Sequence, residues 1–332
     1  MQTHTSPNSL RETAPLLDVS GLVTEFETYR GTVEALDHVE LSVNENEIVG
    51  IVGESGCGKS VTARSILRLV REPGHIAGGT VNFRGRDLLN LTEREMREEI
   101  RGNEIAMIFQ NPTNALNPSF RVGEQIAEVA RRVRGMGESE AKEHALELMN
   151  DVGIPEAHER YDDYPFEFSG GMKQRVLIAK SLACQPKLLI ADEPTTALDK
   201  TTEAQLLDLI EEMRDEYGLS VLLITHDLRV ISRLCDRVVV MYAGQTAEVG
   251  SALEVIENPV HPYTQGLVEA IPRIGQGSEE LHSIEGTVLN LVNANEGCRF
   301  YDRCPLATEH CWDNKPELEE KRASHYAACF EV

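Results

Sequence analysis

Apolar and polar positions alternate from Leu16 to Val43, a period of two that predicts antiparallel strands with one covered face. The pattern then changes. Residues 47–53, EIVGIVG, are almost wholly apolar, as a strand covered on both faces must be. After a glycine-rich turn, SVTARSILRLV places Ile66, Leu67 and Val70 on one side of a helix. The Gly78–Gly79 pair marks a turn into TVNFRG, and Thr92 with Glu95 reads as a capping box opening a helix through Arg101. Between about 111 and 168 helical periodicity dominates, in GEQIAEVARRV and SEAKEHALELMNDV, the latter closed by Gly153. A helix after Gly171, the strand KLLIA, a helix over 202–217 and the strand SVLLIT follow. The helix over 202–217 carries Leu206, Ile210, Met213 and Tyr217 on one stripe, with Gly218 as its stop. Strand and helix in alternation predict an α/β core around a largely parallel sheet, with an antiparallel β subdomain and a helical insertion at about 111–168. Past Ser251 the regularity weakens and a smaller unit begins.

Composition narrows the classes. Residues 1–15 are rich in Ser, Thr and Pro and lack an apolar stretch, so they read as a flexible lead-in rather than a signal peptide. The longest apolar runs, such as 221–224 and 238–241, are too short to span a bilayer. The chain is therefore expected in the cytoplasm, where thiols stay reduced. Fifty-five acids against 32 bases, a net charge of −23, argue against a nucleic-acid binder, which needs a basic face. Lysine is scarce, at positions 59, 142, 173, 180, 187, 200, 315 and 321. An acidic, lysine-poor surface is what a halophilic protein carries, because concentrated salt screens its self-repulsion.

The chemistry concentrates in three stretches. GESGCGKS, residues 53–60, fits G-x-x-x-x-G-K-[ST]. Such a loop, between an apolar strand and a helix, curls its amides around phosphate oxygens. Its residues Gly53, Glu54, Ser55, Gly56, Cys57, Gly58, Lys59 and Ser60, with Val61 next, form the expected ATP cradle. There Lys59 reaches the β- and γ-phosphates and Ser60 ligates Mg²⁺. LLIADE, residues 188–193, is an apolar strand ending in two acids, whose side chains point to opposite faces. Asp192 suits the Mg²⁺ shell and Glu193 suits polarising the attacking water. FSGGMKQR, residues 168–175, supplies a second anion-binding helix start, with Ser169 followed by Gly170, Gly171 and Met172. One nucleotide rarely needs two cradles, so the second is expected to serve the ATP of another molecule.

In order and spacing these stretches resemble the ABC-type ATPases, whose domains dimerise head to tail so that the P-loop of one subunit faces the signature of the other. The resemblance covers residues 16–251 most closely and implies a P-loop (RecA-like) ABC ATPase core. It further implies that Gln110, in MIFQNP, approaches the Mg²⁺ and the water. It makes His226, in LLITHD, the switch histidine at the γ-phosphate. Residues 197–199, ALD, become the loop at the dimer interface, through Asp199. Tyr29, or its neighbour Arg30, falls where the family stacks the adenine. The signature reads Met172 where many relatives have Gln, a mild departure.

Residues 258–272, NPVHPYTQGLVEAIP, resemble the segment after the ATPase domain in ATP-binding subunits of dipeptide and oligopeptide permeases. That likeness implies domains at 16–255 and 256–332 and a place on the cytoplasmic face of the cell membrane. Its implied partners are two integral-membrane permease subunits, a sister ATP-binding subunit and an extracytoplasmic solute-binding protein. In the tail, Cys298, Cys304, Cys311 and Cys329 lack the tight spacing of zinc knuckles. Four thiolates suit a [4Fe–4S] cluster, which the resemblance also implies, with a zinc site and four unliganded thiols as alternatives. Such a centre would chiefly fold a small cysteine-rich domain. The rival functions are a soluble ABC-type ATPase in DNA repair, translation or Fe–S assembly, and a redox sensor with the ATPase secondary. The paired ATPase domains, coiled coils or basic faces of the former are not seen in this sequence.

Overall fold

The computed structural model of the chain describes residues 14–110, 115–196, 198–271, 284–287, 289, 291–292, 294 and 296–332. Strands β1 (Leu17–Thr28), β2 (Gly31–Val43) and β3 (Ile48–Val52) lead to helix α1 (Lys59–Ile66), then β4 (Gly74–Phe83) and β5 (Arg86–Asp87). Next come α2 (Glu93–Glu95), β6 (Ile105–Ile108), α3 (Val122–Arg134), α4 (Glu138–Asp151), α5 (Ala157–Arg160) and α6 (Gly170–Leu182). Strand β7 (Leu188–Asp192), α7 (Lys200–Tyr217), β8 (Ser220–Ile224), α8 (Leu228–Leu234), β9 (Arg237–Tyr242) and β10 (Gln245–Ser251) follow. After α9 (Ala252–Glu257) and α10 (Pro262–Glu269), the tail holds α11 (Glu309–Asp313), β11 (Glu319–Arg322) and β12 (His325–Ala327). None of the helices among the described residues is long and apolar enough to cross a membrane.

The chain divides into two units. The first is drawn from the residues up to Asn44, Ile48–Asn90 and Thr225–Val332. Its antiparallel sheet has the order β2-β1-β4-β5, so the alternation over 16–43 is that of β1 and β2, with Leu17 opposite both Val43 and Phe83. Its second set of strands runs β11-β12-β10-β9-β3, with β3 parallel to β9. All five residues of β3 are buried, which is why its sequence carries no polar alternation.

In this unit α1 is shorter than its apolar stripe predicts, ending at Ile66. The amide of Leu69 donates to Arg64 O at 2.7 Å, that of Arg68 to Ser65 O at 3.0 Å, and Arg68 sits at φ 52°. This is a Schellman stop with arginine where glycine is usual, so the sequence gives no warning of it.

The cysteine-bearing tail does not stand apart as a small domain of its own. Phe300 packs with Tyr242 and Tyr263, ring centroids 5.1 and 5.5 Å away, in the core of the first unit. Strand β12 extends the sheet on β10, pairing Ala327 with Glu248. The Glu248 carboxylate, wholly buried, accepts the amides of Val260 and His261 at 2.8 Å and lies 2.6 Å from His325 Nε2. A buried carboxylate must find such partners, and here they bind the tail to the sheet. A core shared with β9 and β10 removes the need for the tail to fold on its own.

The second unit comprises Glu45–Glu47 and Leu91–Ile224. Strands β8-β7-β6 lie parallel, with Leu188 opposite Ser220 and Ile105. The predicted capping box is present: the Thr92 amide donates to Glu95 Oε2 at 2.7 Å and the Glu95 amide to Thr92 Oγ1 at 3.2 Å. The helix it opens widens into a π turn over Met96–Ile100. Leu206, Ile210 and Met213 of α7 are buried as their spacing predicts, and Gly218 closes the helix at φ 61°. Tyr217 departs from that stripe in using its hydroxyl, which donates to Asp151 Oδ2 at 2.7 Å.

Candidate functional site

The glycine-rich loop occupies the turn between β3 and α1. Its glycines are there for space and for backbone angle. Gly53 lies at φ 157°, where a Cβ would stand 2.2 Å from Met241 O and 2.7 Å from Cys57 Sγ. Gly58, at φ 104°, is the N-cap of α1 and brings no side-chain acceptor over the first amides. The helix start is thus left to bind something else, and its dipole favours an anion. Lys59, buried, donates from Nζ to Gly53 O at 2.7 Å and Glu54 O at 2.9 Å, folding the loop around its own ammonium. Ser60 and Val61 follow in the first turn of α1. Ser55 and Gly56 are exposed, and Cys57 is fully buried, its thiol pushed up by burial.

Two contacts to this loop carry no sequence signal. The Glu54 amide donates to the Tyr263 hydroxyl at 2.9 Å. The Glu54 carboxylate is held in a fork by Arg303, Nη1 to Oε2 at 2.8 Å and Nη2 to Oε1 at 3.0 Å. Partners 209 and 249 residues away form no motif. Elsewhere in the first unit His226 lies exposed just before the N-cap of α8. Tyr29, 90% exposed at the end of β1, lies under the Arg30 guanidinium, 5.2 Å from the ring centroid.

In the second unit β7 delivers its two acids differently. Asp192, the last residue of the strand, is buried, whereas Glu193 is half-buried and leaves the strand at φ 47°. That left-handed angle is uncommon for glutamate and marks a side chain aimed by its surroundings. Gln110 Nε2 and Thr196 Oγ1 both donate to Glu193 Oε2, at 2.8 and 2.9 Å. The two residues expected to manage the attacking water are therefore in direct contact. At the start of α6 Ser169 is the N-cap, accepting from the Met172 amide at 3.3 Å, and Ser169 and Gly170 are exposed. Asp199 caps α7 through the amides of Thr201 and Thr202; the Thr202 amide and hydroxyl hold its carboxyl below the usual range. Ala197, and residues 111–114 at the start of the expected insertion, lie outside the described residues.

Cys298, Cys304, Cys311 and Cys329 line one small cavity in the first unit, with His261 and Phe300 beside them. Burial pushes the Cys298 thiol up to about 11, the Phe300 amide acts against this, and the charges of the other three cysteines add to it. Burial likewise raises the Cys304 and Cys329 thiols, with the main chain at Leu306 and Glu331 acting against it. Nevertheless, among the described residues no group of three or more His, Cys, Asp or Glu side chains could hold a metal ion. The expected metal centre is thus not supported. Cys57, Cys184 and Cys235 are free thiols outside this group.

Residues 36–196 match the family model described as ABC transporter, and residues 247–311 match that of the oligopeptide/dipeptide transporter C-terminal region. The oligopeptide transport ATP-binding protein OppD of Escherichia coli K12 is 46% identical over 99% of this chain and 97% of its own length. OppD of Salmonella typhimurium is 47% identical over 95% of this chain and 93% of its own. A probable peptide ABC transporter ATP-binding protein of Sinorhizobium fredii is 48% identical over 95% and 94%. Among solved structures, the ATP-binding cassette MJ0796, in a dimeric post-hydrolysis state bound to ADP and Pi, is 28% identical with a TM-score of 0.64, over 71% of this chain and 98% of that one. CbiO1 of Clostridium perfringens, part of the cbiONQ transporter complex, is 27% identical with the same TM-score, over 74% and 92%. With an ABC ATPase fold, an intact glycine-rich loop and close identity along nearly its whole length, the chain belongs to the ABC transporter ATP-binding proteins of the oligopeptide and peptide import class.

Proposed function

We propose that this chain is the subunit whose ATP hydrolysis energises an importer of peptides or related small solutes. The observation that carries the reading is identity of 46–48% with peptide-transport ATP-binding proteins, extending through the tail as well as the ATPase core. Lys59 and the loop amides take up phosphate charge. Ser60, Asp192 and Gln110 offer the hard oxygen donors that suit Mg²⁺, which when bound neutralises charge on the phosphates. Glu193 polarises the attacking water while Gln110 orients it, and His226 contacts the γ-phosphate. Tyr29 stacks the adenine. Ser169, Gly170, Gly171 and Met172 serve the ATP of a partner ATPase, with Asp199 at that interface.

The partners under this reading are two membrane permeases, a sister ATP-binding subunit and an extracytoplasmic solute-binding protein, with the chain on the cytoplasmic face of the membrane. For the tail, Cys298, Cys304, Cys311 and Cys329 would hold a [4Fe–4S] cluster, whose irons keep its thiolates farther apart than one ion does. The reading rests on the family resemblance and on the four thiols that line one cavity. Such a group would supply a one-electron centre and would add binding energy to a tail already packed on β9 and β10. The acidic, lysine-poor composition supports a salt-adapted protein.

The test is purification from detergent-solubilised membranes in high salt, with mass spectrometry of the co-purifying proteins and assay of peptide-stimulated ATPase. Two multispanning permeases and a solute-binding protein are expected. Recovery of soluble partners alone, from protein that binds ATP, would replace the importer with a soluble ATPase.

A further inference from the structure

The glycine-rich loop gathers amides and an ammonium to receive a polyphosphate, yet its second residue is a carboxylate. A negative charge on an anion-binding loop opposes its ligand unless it is compensated. Glu54 is held on both its main chain and its side chain. Tyr263 takes its amide, and the 5%-exposed Arg303 side chain grips both carboxylate oxygens. Arg303 is itself fully committed. Its Nε donates to Glu285 O at 2.9 Å, its Nη2 to Ile284 O at 3.1 Å, and its Nη1 lies 3.4 Å from the Tyr242 hydroxyl. A guanidinium held by that many acceptors is a fixed charge rather than a mobile one. The main-chain oxygen of Glu54 in turn accepts from Lys59, so the peptide Arg303 steadies is one that sets the lysine.

We infer that Arg303 is a positioning residue for ATP binding, cancelling the Glu54 charge and fixing the loop that carries Lys59. This rests on the reading of residues 53–60 as the ATP site. Arg303 precedes Cys304, one of the thiols of the tail cavity, so the segment that borders the cavity also sets the charge of the phosphate cradle. Nothing in the ABC motifs predicts this contact.

The experiment measures equilibrium binding of Mg-ATP and Mg-ADP to the full-length protein, with circular dichroism confirming the fold of each variant. Arg303→Gln should weaken ATP binding about tenfold and ADP binding less, because the penalty is electrostatic and grows with ligand charge. Added salt should shrink the defect. Glu54→Gln should bind ATP at least as tightly as the parent. The double variant Glu54→Gln/Arg303→Gln should return to within about threefold of the parent, since no charge is left to cancel. Should Arg303→Gln fail to fold, Arg303→Lys carries the test, with a smaller loss that Glu54→Gln again relieves. Unchanged affinity in folded Arg303→Gln, or a defect that Glu54→Gln does not relieve, overturns the inference. Lys59→Ala separates the two layers: if it binds ATP normally, it is the placement of the ATP site that fails.

Discussion

The glycine-rich loop and the thiol cavity lie in the same unit, yet they are built in opposite ways. The loop is eight consecutive residues whose order specifies its shape, from the two glycine positions that no Cβ could occupy to the lysine folded back on the main chain. The cavity is assembled from four residues spread over 298–329, and tertiary packing around Phe300 and β12 brings them together. A contiguous device survives in the sequence as a motif. A dispersed one survives only as a residue count, and a count does not fix what is bound.

The largest effect should separate the two at once. Lys59→Ala is expected to reduce ATP binding at least about a hundredfold while leaving the fold of the tail unchanged. Glu193→Gln should lower hydrolysis by about 10² to 10⁴ with ATP binding intact, measured by turnover and by nucleotide titration. Near-normal hydrolysis would remove Glu193 from the water-activating role. Cys304→Ser addresses the cavity: iron and acid-labile sulfide should fall to background, with a loss of stability of several kcal/mol on thermal unfolding. If zinc or no metal is found in the parent protein, the cluster reading fails and the comparison becomes one between a site and a packing feature.

Asp37 gives the smallest and most graded test, because it ties the tail to β2. Burial raises its carboxyl, but His38, Lys315 and Gln245, together with the Arg299 charge, outweigh this and hold it far below its ordinary value. Lys315 and Arg299 are tail residues, at 2.5 and 3.2 Å. A depressed carboxyl adds stability in full above its unfolded value of about 3.9, and that contribution is lost as pH falls toward the lower folded value. Asp37→Asn should therefore cost about 2–3 kcal/mol at neutral pH and lose this difference in acid, read by unfolding at pH 7 and below pH 4. A difference that persists unchanged in acid would mean that packing, rather than charge, anchors the tail.

What could be read from residues alone follows the same division. Helix α7, the buried strands and the capping box at Thr92 were legible because their signals repeat locally. The end of α1 was not, since its stop uses Arg68 in place of glycine. Family likeness brought Gln110 to the water that Glu193 was expected to polarise, but the hydrogen bond between them, across 83 residues of sequence, is seen only in the fold. Arg299 and Arg303 escaped notice altogether. Each looks like an ordinary surface cation in the sequence, and only folding shows that Arg299 is 3% exposed, reaching Glu34, Asp37 and Ala243 O.

The division of the chain also has a consequence for the order of its synthesis. Residues 91–224 leave the ribosome as one stretch that supplies β6, β7 and β8 together, so the second unit can pair its strands early. Strand β3 is made far ahead of its parallel neighbour, Val49 waiting for Arg237. Strand β10 must then wait for β12, and Glu54 for Arg303. A nascent chain thus displays a complete glycine-rich loop well before it owns the arginine that steadies it, and with β10 still an open edge. The interval between the synthesis of β10 and that of β12 is therefore the period in which that unfinished edge is open to aggregation or chaperones.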